Sequence, residues 1–139
     1  MATDLFSRLI RPSHGPSIFF RPSAELDVIT RQLREQNIAI FEVNGSAISS
    51  ELDLYKAFAK ALMMPQGWYG QEEYAPNADA FLEYLGDVAE WVPAKAHVVL
   101  VRQSDQLWRT NPQVAGLLTE LCEDAALDRE SSVRLVFVW

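Results

Sequence analysis

Along the chain, short dense apolar runs alternate with longer stretches in which apolar residues recur every three to four positions, the signature of strands and amphipathic helices in turn. "SIFFRP" at 17–22 reads as a short strand of β-branched and aromatic residues, closed by Pro22. "NIAIFEVNG" at 37–45 reads as a second strand running into an Asn-Gly turn signal. "HVVLVR" at 97–102 and "VRLVFVW" at 133–139 supply a third and a fourth. Helical spacing fills the intervals. Leu26, Ile29 and Leu33 mark a helix in "SAELDVITRQLREQ", with Ser23 as its predicted cap. Leu54, Ala57, Phe58, Ala61 and Leu62 form one face of a helix over 49–64, stopped by Pro65 and Gly67. "PQGWYGQEEYAP" at 65–76 is a loop, after which Asn77 caps the helix "NADAFLEYLGDVAEW". "SDQLWRT" predicts one or two helical turns. "NPQVAGLLTELCEDAALDRE" predicts a long helix with Asn111 as cap, Pro112 in its first turn, and Val114, Leu117, Leu118 and Leu121 turned inward.

The resulting order, βαβααβααβ, predicts an α/β fold: a parallel β-sheet flanked by α-helices, with right-handed crossovers. No internal repeat or second composition regime divides the chain. Residues 1–16 read as a ragged leader, because the start has arginines but neither a long apolar core nor a small-residue cleavage pattern. Residues 17–139 read as a single domain, in which 17–36 is a βα unit too short to fold alone.

Composition narrows the chemistry. Of 139 residues 49% are hydrophobic, enough for one sizeable core, yet no run approaches the length of a membrane span. The single cysteine rules out an internal disulfide, and with two histidines it makes a zinc site a poor fit. These features suit a reducing, cytoplasmic compartment. The net charge of -7 is uneven: residues 66–90 hold six acids and no Lys or Arg, whereas the rest of the chain nearly cancels. Such a segment repels nucleic acid and attracts a basic partner; the alternative is a solvated face that aids solubility.

Catalytic readings fare worse. His14 lies in the leader and His97 opens a strand that reads as buried, so neither stands as an evident base. No nucleophile elbow or phosphate-cradling glycine loop is present. Cys122 falls on or beside the inward stripe of the last helix and reads as core. Asp79 and Glu83 sit one turn apart and resemble a glycosidase pair. Placing Asp79 at zero, however, puts Glu83, Asp87 and Glu90 at about 40°, 80° and 20°, with Phe81, Leu85 and Val88 opposite, at about 100° per residue. Acids on the wet side of an amphipathic helix are poorly placed for one raised pKa. The expectation is a protein that is not an enzyme and needs no cofactor or metal. Trp68, Tyr69 and Tyr74 in the preceding loop, beside this acidic helix, look like rigid anchors of an interface.

The segments "LMMPQGWYG", "NADAFLEYL", "VVLVRQSDQLW" and "VRLVFVW" together resemble the barstar family of intracellular ribonuclease inhibitors, over residues 38–139. The resemblance rests on Pro65, Trp68, Tyr69 and Gly70 before a helix opening with Asn77, Asp79 and Ala80. It implies a three-stranded parallel sheet with helices on it, to which the N-terminal strand–helix unit is an addition. It also implies an inhibitor whose acidic helix and preceding loop enter a nuclease active site, an antitoxin or immunity protein bound at 1:1 to a basic nuclease toxin, an RNase in the first place, with no direct nucleic-acid, membrane or small-molecule binding. By that resemblance the partner-binding residues are Trp68, Tyr69, Asn77, Asp79, Leu82 and Glu83, with Glu120 and Asp124 at the rim, where the acidic helix also places Asp87. Glu83 stands where the family carries an aspartate, and Leu82 where it carries a tryptophan. Glu72, Glu73 and Tyr74 lie in a lengthened loop and are expected to set partner choice. The rival expectation is an interaction module of the same fold with a non-nuclease partner.

Overall fold

The computed structural model describes residues 17–64, 74, 75 and 77–139. Four strands, β1 (Ile18–Arg21), β2 (Ala39–Asn44), β3 (His97–Arg102) and β4 (Val133–Val138), form one parallel sheet in the order β1-β4-β3-β2. The helices are α1 (Leu26–Arg34), α2 (Glu51–Ala61), α3 (Ala78–Asp87), α4 (Ser104–Thr110) and α5 (Pro112–Asp128). The predicted α/β class and element order hold throughout. The predicted leader, residues 1–16, lies outside the described residues.

Handedness explains the layering. The chain steps β2→β3→β4 across the sheet in one direction, but β1→β2 runs the other way, from edge to edge. With every crossover right-handed, α1 must lie on the face opposite the other helices. Two separate cores result. Phe41, Val43, Val99, Val101, Leu135 and Phe137 point to one face and pack with α2, α3 and α5. Val98, Leu100, Val136 and Val138 point to the other and pack with Phe19, Leu26, Ile29 and Leu33. β3 and β4 are apolar on both faces because they are covered on both.

Local details depart from the sequence reading where tertiary contacts claim a side chain or an amide. Ser23 does not cap α1. A 3₁₀ turn, Ser23–Glu25, precedes the helix, no side chain caps either element, and the Ser23 N–H donates to the Trp139 carbonyl at 2.6 Å, extending the β1–β4 ladder. Asn111 occupies the cap position of α5, but its amide donates to the Ile48 carbonyl at 3.3 Å and to the Thr110 hydroxyl at 3.2 Å. The inward residues of α5 are Ala115, Leu118, Leu121, Cys122 and Ala125; Val114 and Leu117 are half-buried. On α2, Leu54, Tyr55, Phe58 and Ala59 are buried, as is Leu62 just beyond it, whereas Ala57 and Ala61 are half-buried. In both helices the buried stripe is turned by about one residue from the one that apolar spacing picks out, taking in Tyr55 and Ala59 on α2 and Ala115, Cys122 and Ala125 on α5.

Cys122 is buried, as read from the sequence, and His97, for which the sequence left a structural role or simple exposure open, is buried too. The Val92 carbonyl can only accept, so His97 Nε2 carries the proton and Nδ1 accepts from the Ser132 hydroxyl at 2.7 Å. Burial pushes the Cys122 thiol up to about 12, far from a reactive thiolate. No described helix is long and apolar enough to cross a membrane.

Candidate functional site

α3 is fixed in place before any of its polar residues act. The Asn77 side chain accepts from the Ala80 N–H at 2.9 Å, which starts the helix where predicted. Phe81, Tyr84, Leu85 and Val88 are buried. Phe81 meets the edge of Phe58 with ring centroids 5.4 Å apart, and Tyr84 stacks on Trp91 at 5.1 Å. The Trp91 Nε1–H donates to the Leu62 carbonyl at 3.1 Å and the Tyr84 hydroxyl to that of Phe58 at 3.4 Å. Both aromatics are therefore structural, and the opposite face of α3 is held rigidly outward.

That outward face carries Asp79 and Glu83, both exposed. No described cation pairs with either. Asp87 is half-buried rather than fully on the wet side, because the helix passes into the 3₁₀ turn Val88–Glu90 immediately after it. Leu82 is half-buried against the core. Tyr74 is half-buried too, with the Lys56 ammonium 5.3 Å from its ring centroid. Trp68, Tyr69, Glu72 and Glu73 lie outside the described residues.

α3 packs along α5 more extensively than against any other element. This brings a second acidic helix beside the first: Glu120 and Glu123 are exposed, Asp124 is half-buried and Asp128 is exposed. Residues 77–91 hold four acids and no base, and 112–130 hold five acids and one base, so these two segments together carry -8 against -7 for the whole chain. The sequence reading placed the charge in 66–90 alone. The resemblance named Glu120 and Asp124, but the charge count hid the share from α5, because bases that balance it in sequence sit on other elements: Arg102 pairs with Glu42 at 3.5 Å, Arg109 is on α4, and Arg134 is buried, donating to the Ser131 and Val133 carbonyls.

Two further residues escaped the sequence reading. Gly86 falls about 20° from Asp79 on the helical wheel, at about 100° per residue, and so lies on the acidic face. A Cβ there would meet the Arg129 side chain, with Cβ at 3.1 Å and Cδ at 3.3 Å. The clue in the sequence was the glycine itself, since a helix-interior glycine costs about 1 kcal/mol against alanine and needs a reason.

Elsewhere, a cleft of about 610 Å³ opens between α1 and the β2–β3 edge. Its lining mixes Asp27, Glu35 and Glu42 with Arg31, Arg34 and Arg102, which leaves it without a dominant charge. Among the described residues, no group of His, Cys, Asp and Glu side chains is arranged to hold a metal ion.

The sequence profile of the family described as Barstar (barnase inhibitor) matches residues 38–138, from the residue before β2 to the end of β4. No curated protein matches the chain. Among solved structures the chain is similar to one in the "Structure of Drosophila ORC bound to DNA", with a TM-score of 0.64 and 17% identity, over 99% of this chain and 36% of that one. It is similar as well to one in the "Structure of Drosophila ORC bound to AT-rich DNA and Cdc6", with a TM-score of 0.57 and 12% identity, over 99% of this chain and 45% of the other. The chain spans less than half the length of either. At such identities the likeness is one of fold, and it takes in β1 and α1, which the family match leaves out.

Proposed function

The chain belongs to the barstar family, and from that premise we propose that it inhibits a basic nuclease, in the first place a ribonuclease, by laying the acidic face of α3 into the active-site cleft. The observation that carries this reading is the pair of exposed carboxylates Asp79 and Glu83, unpaired among the described residues, on a helix whose other side is locked into the core. A nuclease cleft is lined with cations that hold phosphates, and a rigid row of carboxylates one helical turn apart can take the phosphates' place. Preorganisation matters as much as charge, because α3 loses little freedom on docking. Glu120 and Asp124 extend the negative field toward the rim. Trp68 and Tyr69 are proposed as loop anchors, with Glu72, Glu73 and Tyr74 selecting among related nucleases. The complex is proposed to be 1:1, with the chain acting as an antitoxin or immunity protein. The Drosophila assemblies are bound to DNA, but the acidic face of α3 and α5 repels a nucleic-acid backbone, so protein is the favoured partner here.

The test is inhibition of RNA cleavage by barnase and by other basic microbial ribonucleases, followed by calorimetry on the pair that responds. Asp79→Ala and Glu83→Ala are each expected to weaken the complex by about 2 kcal/mol or more, because truncation leaves a buried cation on the nuclease without its partner. Unfolding midpoints should barely move. Normal binding by both variants, or inhibition of none of the nucleases alongside capture of a different protein, transfers the reading to a non-nuclease interaction module.

A further inference from the structure

Arg129 is the sole base within 77–91 and 112–130, the two segments that hold α3 and α5. Its placement is built in several layers. Its N–H donates to the Ala125 carbonyl at 3.0 Å, ending α5. Glu130 then turns through the left-handed region, at φ 51°. Ser131 closes the turn onto α3, its hydroxyl donating to the Leu85 carbonyl at 2.6 Å. The arginine stem lies against Gly86, in space that any other residue's Cβ would contest. Gly86 shares the helix face of Asp79 and Glu83, so the arginine stem meets the acidic face two turns from Asp79. No described carboxylate pairs with it. A cation whose stem lies on a glycine among so many acids, yet is paired with no carboxylate among the described residues, has hydrogen-bonding capacity to offer a partner.

We infer that Arg129, seated on Gly86, is a specificity-determining residue of the interface and receives a carboxylate of the partner. The partner surface is then basic opposite Asp79 and Glu83 and acidic at one place, beyond the C-terminal end of α3. Such a mixed pattern rejects surfaces that are merely basic, including those that suit the rest of the acidic face equally well. This inference rests on the proposed inhibition of a nuclease.

Two effects of Arg129 have opposite kinetic signs, which makes the inference testable. If the arginine only tempers the acidic field, removing it speeds association with a basic partner and leaves dissociation alone. If it holds a partner carboxylate, removing it speeds dissociation. The experiment is stopped-flow association and dissociation with barnase as the probe. Where barnase does not bind, the ribonuclease that responds in the inhibition test takes its place, and absence of binding to all of them counts against the nuclease reading itself. Given binding, Arg129→Gln is expected to raise the off-rate about tenfold, with an on-rate unchanged or slightly raised. Gly86→Ala keeps every charge but pushes the stem off its seat by a few tenths of an ångström, and is expected to raise the off-rate by less than Arg129→Gln does. The double variant should dissociate no faster than Arg129→Gln alone, since both changes remove one contact. A faster on-rate with an unchanged off-rate in Arg129→Gln overturns the inference. Should Gly86→Ala lower the melting temperature, the off-rate of Arg129→Gln decides alone.

Discussion

His97 is held neutral between two hydrogen-bond partners, and burial lowers its pKa from the ordinary imidazole value of 6.5, more than the Val92 hydrogen bond raises it. The sign of the consequence follows from linkage. Below about pH 6.5 the unfolded chain takes up a proton at this site while the folded chain resists, so unfolding gains free energy as pH falls. The stability contributed by neutral His97 is full above about pH 6.5 and is lost as pH drops from there through the lowered folded value. Urea midpoints measured at steps from neutral to mildly acidic pH should fall, and His97→Gln should remove that part of the fall. An identical pH profile in the variant would assign the acid sensitivity to other groups. The sequence placed His97 at the head of a buried strand, which was enough to doubt a catalytic role. Its partners Val92 and Ser132 come from different connections and were not legible from their neighbours in the chain.

At the scale of elements, the N-terminal βα unit stands out because the family match begins after it. β1 supplies a fourth strand beside β4, and α1 covers a sheet face that no other described helix reaches. Without α1, the buried side chains of Val98, Leu100, Val136 and Val138 would face water, a contiguous apolar surface of the kind that drives aggregation. A chain starting at residue 37 is expected to bind a hydrophobic dye and to unfold over a broad range. A sharp, cooperative transition in that truncation would show the layer to be dispensable. A milder probe is Leu33→Ala, which removes a fully buried side chain from the same layer and is expected to cost about 2–5 kcal/mol in urea unfolding. The helical spacing of Leu26, Ile29 and Leu33 showed that α1 has an inward face. Which side of the sheet it covers followed only from the strand order and the handedness of its crossover.

At the scale of the whole molecule, the acidic surface is a product of two helices. Association with a basic nuclease should therefore be fast and salt-sensitive. Raising salt from roughly 0.05 to 0.5 M shortens the screening length from about 14 Å to about 4 Å. The on-rate is expected to fall at least about tenfold over that range, with a much smaller change in off-rate. Because α5 lies beside α3, neutralising Glu120, Glu123 and Asp124 together should flatten the salt slope about as much as neutralising Asp87 and Glu90. Stopped-flow measurements on the two sets of variants decide this. A slope untouched by the α5 changes would return the steering field to residues 66–90 alone.

The sequence by itself determined the elements, their order and the two faces of α3, because hydrophobic period, caps and turn residues act over a few neighbouring positions. Asn77, Asp79, Glu83, Phe81 and Leu85 were all readable in this way. It also carried the motif by which the family is recognised. Only the tertiary structure decided which elements share a surface. It set α1, among the described helices, alone on one side of the sheet, brought the acids of α5 beside those of α3, and laid the Arg129 stem against Gly86. In sequence, residues 91–139 nearly cancel in charge; in space, the acids gather on α5 while the bases disperse to β3, α4 and the interior of the sheet. The physical reason is that electrostatic fields and van der Waals contact depend on distance through space, over about 10 Å and about 4 Å respectively, and the chain brings residues within those distances only by folding.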